Sequence, residues 1–448
     1  MPSGCGPPTS PPPSVFAPAR LPASLLASSI LSLSICILGS SVLPVPYVFS
    51  RVGLVPGLLI MAGVAAANAY GCLVLLRLAG ETGHTTYEGV VGEVAGPKAA
   101  AATRAALILL LWGTLAGDFA LLAEVGPPAL ARLVPGAPAG SLPGARACAA
   151  ALAAATAPLC FLPDLRSLEA ASAAGVGLVG ALVAVVVGSA AAAGWPGLAS
   201  GAFPLVRPLS PAAVPEAASV LGFGFFLAPL MFPLVAQLPP APAEPTLAGK
   251  AVKIVVLCIA PLVYGCLGLA GPARFGAATA KSLLSNAWLG GGAWDGLLDA
   301  AVALYLCVSI PPIAHALRHS LDAAAAGEGA PPSAKRRALL TAAPLATALA
   351  AALAVPEYAE SMFAATGALP VCMLCYLLPA FLDVKSRRMP SGASTDEGGS
   401  LEAALLSPAA SGPPASSLAA PAAVAVAGLV STGAAGYYAV ATLVRRWH

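Results

Sequence analysis

Charge is what this sequence has least of. Only 9% of its 448 residues are Asp, Glu, Lys or Arg, against about a quarter in soluble domains. A chain so poor in charge cannot cover a water-facing surface, which rules out a soluble globular protein. Aromatics make up 6% and the basic residues are scattered, so nucleic-acid binding has no support. A Gly-rich phosphate loop of the GxxxxGK[ST] type is missing, which speaks against an ATP-driven pump. His, Asp and Glu form no cluster at metal-ligand spacing, so no metal, cofactor or catalytic residue is assigned and an enzyme is not expected. There is no basic n-region leading into a short apolar core and cleavage site, so no cleaved signal peptide is expected either.

Apolar sequence is what the chain has in abundance. Hydrophobic residues make up 58% and the mean hydropathy is +0.86. The expected fold class is all-α, a polytopic integral membrane protein in a lipid bilayer. A span needs about 20 mainly apolar residues, and eleven candidates appear near 24–49, 53–76, 104–125, 147–163, 172–194, 214–236, 251–271, 297–317, 338–355, 358–382 and 418–443. Residues 1–22, rich in Pro and Ser, read as a disordered tail, 23–445 as the transmembrane domain, and 384–416 as a cytoplasmic loop before the last helix. Most Lys and Arg fall on one side of this scheme, including the clusters at 335–337 and 385–388. The positive-inside rule therefore puts the N-terminus in the cytoplasm and the C-terminus outside. Eight of the ten cysteines lie in apolar runs, where a small, soft side chain packs well. Cys372 and Cys375 form a CxxC one helical turn apart within such a run, which reads as packing rather than a zinc or redox site.

Two of the spans are interrupted. The first meets Gly39, Ser40, Ser41, Pro44 and Pro46 in quick succession. The sixth, from Ser219 to Leu238, carries Gly222, Gly224, Pro229 and Pro233. Backbone groups freed in this way cannot be satisfied by lipid and survive only where they line a cavity or hold a ligand. Paired interruptions at corresponding places in two halves are the best sequence pointer to a transporter site at the membrane midplane. Free N–H groups at a half-helix start suit a carboxylate. Carbonyls at a half-helix end, with the hydroxyls of Ser34, Ser40 and Ser41, suit an ammonium or a small cation. The candidate substrate-binding residues are Gly39, Ser40 and Ser41 in one break and Gly222, Phe223 and Phe225 in the other, where the rings either close over a substrate or simply pack.

The residues around these breaks resemble the amino acid/auxin permease family. GSSVLPVPYVFSRVGLVPG from Gly39 is similar to that family's first-helix signature. Ala69-Tyr70, Thr86-Tyr87-Glu88 in the loop after the second span, and Pro158-Leu159-Cys160 follow its pattern in order. So do Phe223-x-Phe225 with Pro229 and Pro233, Ser309-Ile310-Pro311, and Val355-Pro356-Glu357 with Leu378-Pro379-Ala380. The resemblance is nearest the sodium-coupled neutral amino acid transporters and the plant vacuolar exporters. It implies a five-plus-five inverted repeat with an eleventh helix, and secondary transport of amino acids by alternating access, ion-coupled symport with proton or sodium included. It implies residence in a plasma membrane or a vacuolar or lysosomal membrane. A channel, or a carrier of another small organic solute, is the alternative.

The departures from the family pattern bear on the coupling ion. Members often carry an Asn where this chain has Ile35, and the His of the sixth-span motif is Ala228. The resemblance leaves Ser34 and Ser309 as side-chain ligands for sodium. Asp118, within the third span, is a carboxyl whose burial would disfavour its charged form and let it load a proton or hold a cationic group. Placement near the outer helix end, wetted by the loop at Gly126-Pro127, is the competing reading. Proton coupling or uncoupled exchange therefore precedes sodium in expectation.

Overall fold

In the computed structural model the described residues are 23–134, 141–162, 168–206, 208–235, 244–327, 333–354, 369–388, 419–426 and 428–429. Among them the chain is helical and has no strand. Eight helices are long and apolar enough to cross a membrane, or nine if one bent pair counts as a single span. The bent pair is α1 (Ala23–Leu38) with α2 (Val45–Val52), joined through a 3-10 turn at Ser40–Val42 and bent by 56°. There follow α3 (Leu54–Thr82), the short α4 (Tyr87–Ala95), α5 (Pro97–Leu133), α6 (Ala145–Cys160), α7 (Glu169–Ala192) and the single turn α8 (Pro196–Ala199). The sixth span is α9 (Ala213–Gly224) plus α10 (Ala228–Val235). Then come α11 (Glu244–Ile254), running through a π turn into α12 (Ala260–Phe275), α13 (Ala293–Ala326), α14 (Ala334–Ala354) and α15 (Leu369–Ser386). Every expected span but the last has a helix here, the tenth (358–382) being described only from Leu369, although α6, at 16 residues, is short of a full crossing. The last expected span, 418–443, falls mostly outside the described residues, as do the tail 1–22 and most of the loop 384–416.

Proline alone does not break these helices. α5 runs straight through Pro127-Pro128 to Leu133, and α13 through Pro311-Pro312. A buried helix tolerates the lost N–H donors because neighbouring helices take up the freed carbonyls. This overturns the placement of Asp118 beside a wetted loop: α5 continues for another four turns, and Asp118 is only 1% exposed. Thr86-Tyr87-Glu88, expected in a loop, instead starts α4, where the Thr86 hydroxyl accepts the Gly89 N–H at 3.0 Å as an N-cap.

The helices are not equivalent. The sixth span is 78% buried within the bundle, α13 72% and α5 67%, whereas α7 is 28% and α14 only 17%. The first three therefore form the centre, and α7 and α14 present most of their surface to lipid. Lipid tails are as apolar as leucine, so close packing rather than water exclusion holds such a bundle together. Phe49 shows how. Its fully buried ring fills a notch whose walls are Gly57 of α3 and Gly268 of α12. A Cβ at Gly268 would lie 2.6 Å from that ring. An isolated helix of eight residues is not stable, and this wedge holds α2 where it is.

The two ends of the bundle carry separate ion-pair clusters. At one end Asp383 of α15, its side chain wholly buried, accepts hydrogen bonds from Arg77 of α3 and from Arg387, each at 2.8 Å, and from Tyr70. The hydrogen bonds from Arg387 to Asp383 push the guanidinium further above its ordinary pKa. At the other end Arg132 of α5 pairs with Asp299 of α13 at 2.5 Å.

Candidate functional site

The first interruption follows from local chemistry. Gly39 ends α1, and Pro44 has no N–H to continue the ladder, so the Ser40 carbonyl accepts the Leu43 N–H instead at 3.2 Å. Pro46 then sits in the first turn of α2, where its missing donor does no harm. The second interruption covers residues 225–227, between Gly224 and the first turn of α10 that holds Pro229. Here the bend is smaller: Ala213–Leu234 still passes as one span, whereas the first break bends by 56°.

The two breaks touch. A Cβ on Gly224 would lie 3.3 Å from the Ser41 Cβ. Between them stands Tyr264 of α12, its hydroxyl 2.7 Å from the Ile37 carbonyl, 3.0 Å from the Gly224 carbonyl and 2.7 Å from Ser41 Oγ. A phenol has one proton to give, so the two carbonyls compete for it while Ser41 can donate to the phenol oxygen. Two further tyrosines repeat the pattern. Tyr305 of α13 donates to the Gly39 carbonyl at 3.1 Å, and Tyr376 of α15 to the Gly222 carbonyl at 3.4 Å. The carbonyls freed by both breaks are thus held by phenols from three other helices.

Space remains at the first break. A Cβ built on Gly39 meets no atom within 4 Å, and Gly39 and Ser41 are only partly buried. The Asp118 carboxyl reaches the same place from α5. Neither of its oxygens has a hydrogen-bond partner. Ser40 and Tyr305 both stand in electrostatic reach of it.

The expected site residues fall into three groups. Gly39, Ser40, Ser41, Gly222 and Asp118 come together around the breaks, with Gly222 buried. Phe225 is fully buried and meets Tyr264 edge-on at 5.3 Å between ring centres, while Phe223, half-buried, leans on Phe226 at 5.0 Å. Ser34 and Ser309 lie apart from this cluster of bonds. Ser309 donates to the Leu306 carbonyl of its own helix at 2.9 Å. The buried Ser34 hydroxyl has no partner, so no hydrogen bond links the two. Among the described residues no group of His, Cys, Asp or Glu is arranged to hold a metal ion.

Tyr264, Tyr305 and Tyr376 are the residues that sequence reasoning missed. A signal for them exists: a tyrosine within an apolar span must find a partner for its hydroxyl, and interrupted helices are where carbonyls stand free.

No curated protein matches the chain. The family model described as transmembrane amino acid transporter protein matches residues 24–394, and the chain belongs to that family.

Proposed function

We propose that this amino acid transporter is a secondary carrier working by alternating access, with its substrate held between the two helix breaks and its movement tied to an ion gradient, the proton ahead of sodium. The observation that carries the reading is the meeting of the breaks at the Tyr264 hydroxyl, with open space left at Gly39. Interruptions that served only to kink a helix would be filled by packing; one of these is not. The first break offers hydroxyls, backbone groups and one carboxyl, which suits a zwitterion better than an apolar solute.

Coupling by proton needs only one titratable group, and Asp118 is a buried carboxyl without a hydrogen-bond partner. Sodium needs several oxygens at once. Ile35 stands where relatives often supply an amide, which leaves the Ser34 and Ser309 hydroxyls with backbone carbonyls. The basic end of the bundle, with Arg77, Arg318, Arg336 and Lys385, faces the cytoplasm in this reading, in a plasma membrane or a vacuolar or lysosomal membrane. Tags in 320–335 and 390–412 should then be cytoplasmic, and a tag after His448 should not.

The test is uptake of a radiolabelled amino acid panel into proteoliposomes, with sodium and pH gradients imposed separately. Saturable uptake accelerated by unlabelled substrate on the far side is the expected result. Currents far above carrier turnover would indicate a channel and overturn the reading.

A further inference from the structure

The freed carbonyls were the natural seat for a substrate ammonium, yet Gly39 and Gly222 each already accept a phenol proton, and Ile37 and Gly224 share that of Tyr264. What stays unengaged at the first break is Asp118, buried to 1% exposure with both carboxyl oxygens unbonded. No cation among the described residues pairs with it. The ionisable groups on the helices packed against α5 are engaged elsewhere. Asp299 holds Arg132, and Arg318 bonds the carbonyls of Cys160 and Leu162. Glu88 of α4 faces Arg104, Arg336 of α14 holds Asp322, and Tyr376 of α15 bonds Gly222. Cys307 on α13 and Cys148 and Cys160 on α6 are buried thiols outside any disulfide. Tyr305 is the titratable neighbour that does face Asp118, and its proton is directed at Gly39.

A single buried carboxyl can balance one positive charge. With a proton on it, an arriving ammonium finds no counter-charge, and an ammonium in such surroundings is strongly disfavoured without one. With the ammonium on it, the proton has no place. We propose that Asp118 is the common seat of the substrate's ammonium group and of a proton, each excluding the other, so that amino acid and proton cross the membrane in opposite directions. The steps balance. The carboxylic acid gives its proton to water on the side where substrate enters, and the carboxylate pairs with the ammonium. On the far side the substrate leaves and the carboxylate takes a proton there. For a zwitterion each cycle moves one net positive charge, that of the proton, opposite to the substrate. An amine without the carboxyl group would exchange electroneutrally. This rests on the reading that substrate enters the first break.

Two measurements on the full chain separate the possibilities. In a weakly buffered solution with a pH indicator, adding a transported amino acid to purified protein should release about one proton per molecule bound. Asp118→Glu should keep the release and Asp118→Asn should abolish it. In proteoliposomes an acidic lumen should raise accumulation of a neutral amino acid several-fold over no gradient, and an alkaline lumen should suppress it. Proton uptake on binding, or accumulation in the alkaline lumen, would overturn the proposal. So would substrate exchange by the wild type with no proton movement in either assay, which leaves the carrier reading intact. A wild type that neither binds nor carries any amino acid of the panel would instead overturn the site itself.

Discussion

The first and sixth spans are interrupted by the same kinds of residue, and the results differ. The first bends by 56° and leaves open space at Gly39. The sixth bends less, and its break is packed shut by Phe225, Phe226 and Leu227, all buried. Both surrender carbonyls to tyrosines, so hydrogen bonding does not separate them; packing does. In the first break the turn is followed by Pro44 and Pro46, and the ladder cannot resume until α2. In the sixth, Pro229 falls within the first turn of the new half-helix, where the missing donor is harmless. One break therefore leaves room for a side chain at Gly39, and the other is filled by its own buried side chains.

The sharpest way to test that difference is to add bulk to each. Gly39→Leu should abolish transport while the protein still folds and reaches its membrane, because the added side chain enters open space that substrate needs. Gly224→Leu should cost stability instead, since its Cβ begins 3.3 Å from Ser41, and overpacking of this kind costs about 1–3 kcal/mol. Uptake and thermal denaturation of both variants distinguish the two. Wild-type uptake by Gly39→Leu would end the assignment of the first break as the substrate site.

A smaller effect is expected where the breaks share a partner. Tyr264→Phe leaves the ring and removes the hydroxyl, so the Ile37 and Gly224 carbonyls lose their donor together. An unsatisfied buried acceptor costs about 1–3 kcal/mol, and transport should fall by about tenfold or more as the two breaks lose their common tie. Tyr305→Phe, which unties only the first break, should fall between this and Tyr376→Phe, whose 3.4 Å bond to Gly222 is the longest of the three. Equal losses for all three variants would mean that the two breaks do not differ as described.

How much of this was legible in the sequence depends on the range of the interactions. The breaks were legible because Gly39 with Pro44 and Pro46, and Gly224 with Pro229, act within a few residues of themselves. The same local rule misread Pro127-Pro128 as the end of a span, because whether a proline breaks a buried helix depends on what its neighbours offer the freed carbonyls. The tyrosine ties were out of reach for a different reason. Tyr305 and Gly39 are 266 residues apart and Tyr264 and Ser41 are 223 apart. No spacing rule connects them until the helices are packed. Asp118 was visible as a carboxyl in an apolar run, but its place at the first break rather than in a wetted loop followed only from the full length of α5.

The smallest effect concerns the CxxC beside the sixth span. Cys375 sits where α15 crosses α3, its carbonyl 2.8 Å from a Cβ built on Gly71. Cys372 donates to the Gly428 carbonyl at 3.1 Å. Neither thiol is in a disulfide and both are buried, and a thiol is a weak donor and weak acceptor. If the second break is held by packing, replacing both residues by Ala removes two sulfur atoms and little else. The expected cost is about 1–2 kcal/mol of stability, with transport within about threefold of wild type and unchanged by zinc chelators or reductants. Loss of transport in Cys372→Ala/Cys375→Ala beyond tenfold, or its rescue by zinc, would show that the second break depends on thiol chemistry and is not held by packing alone.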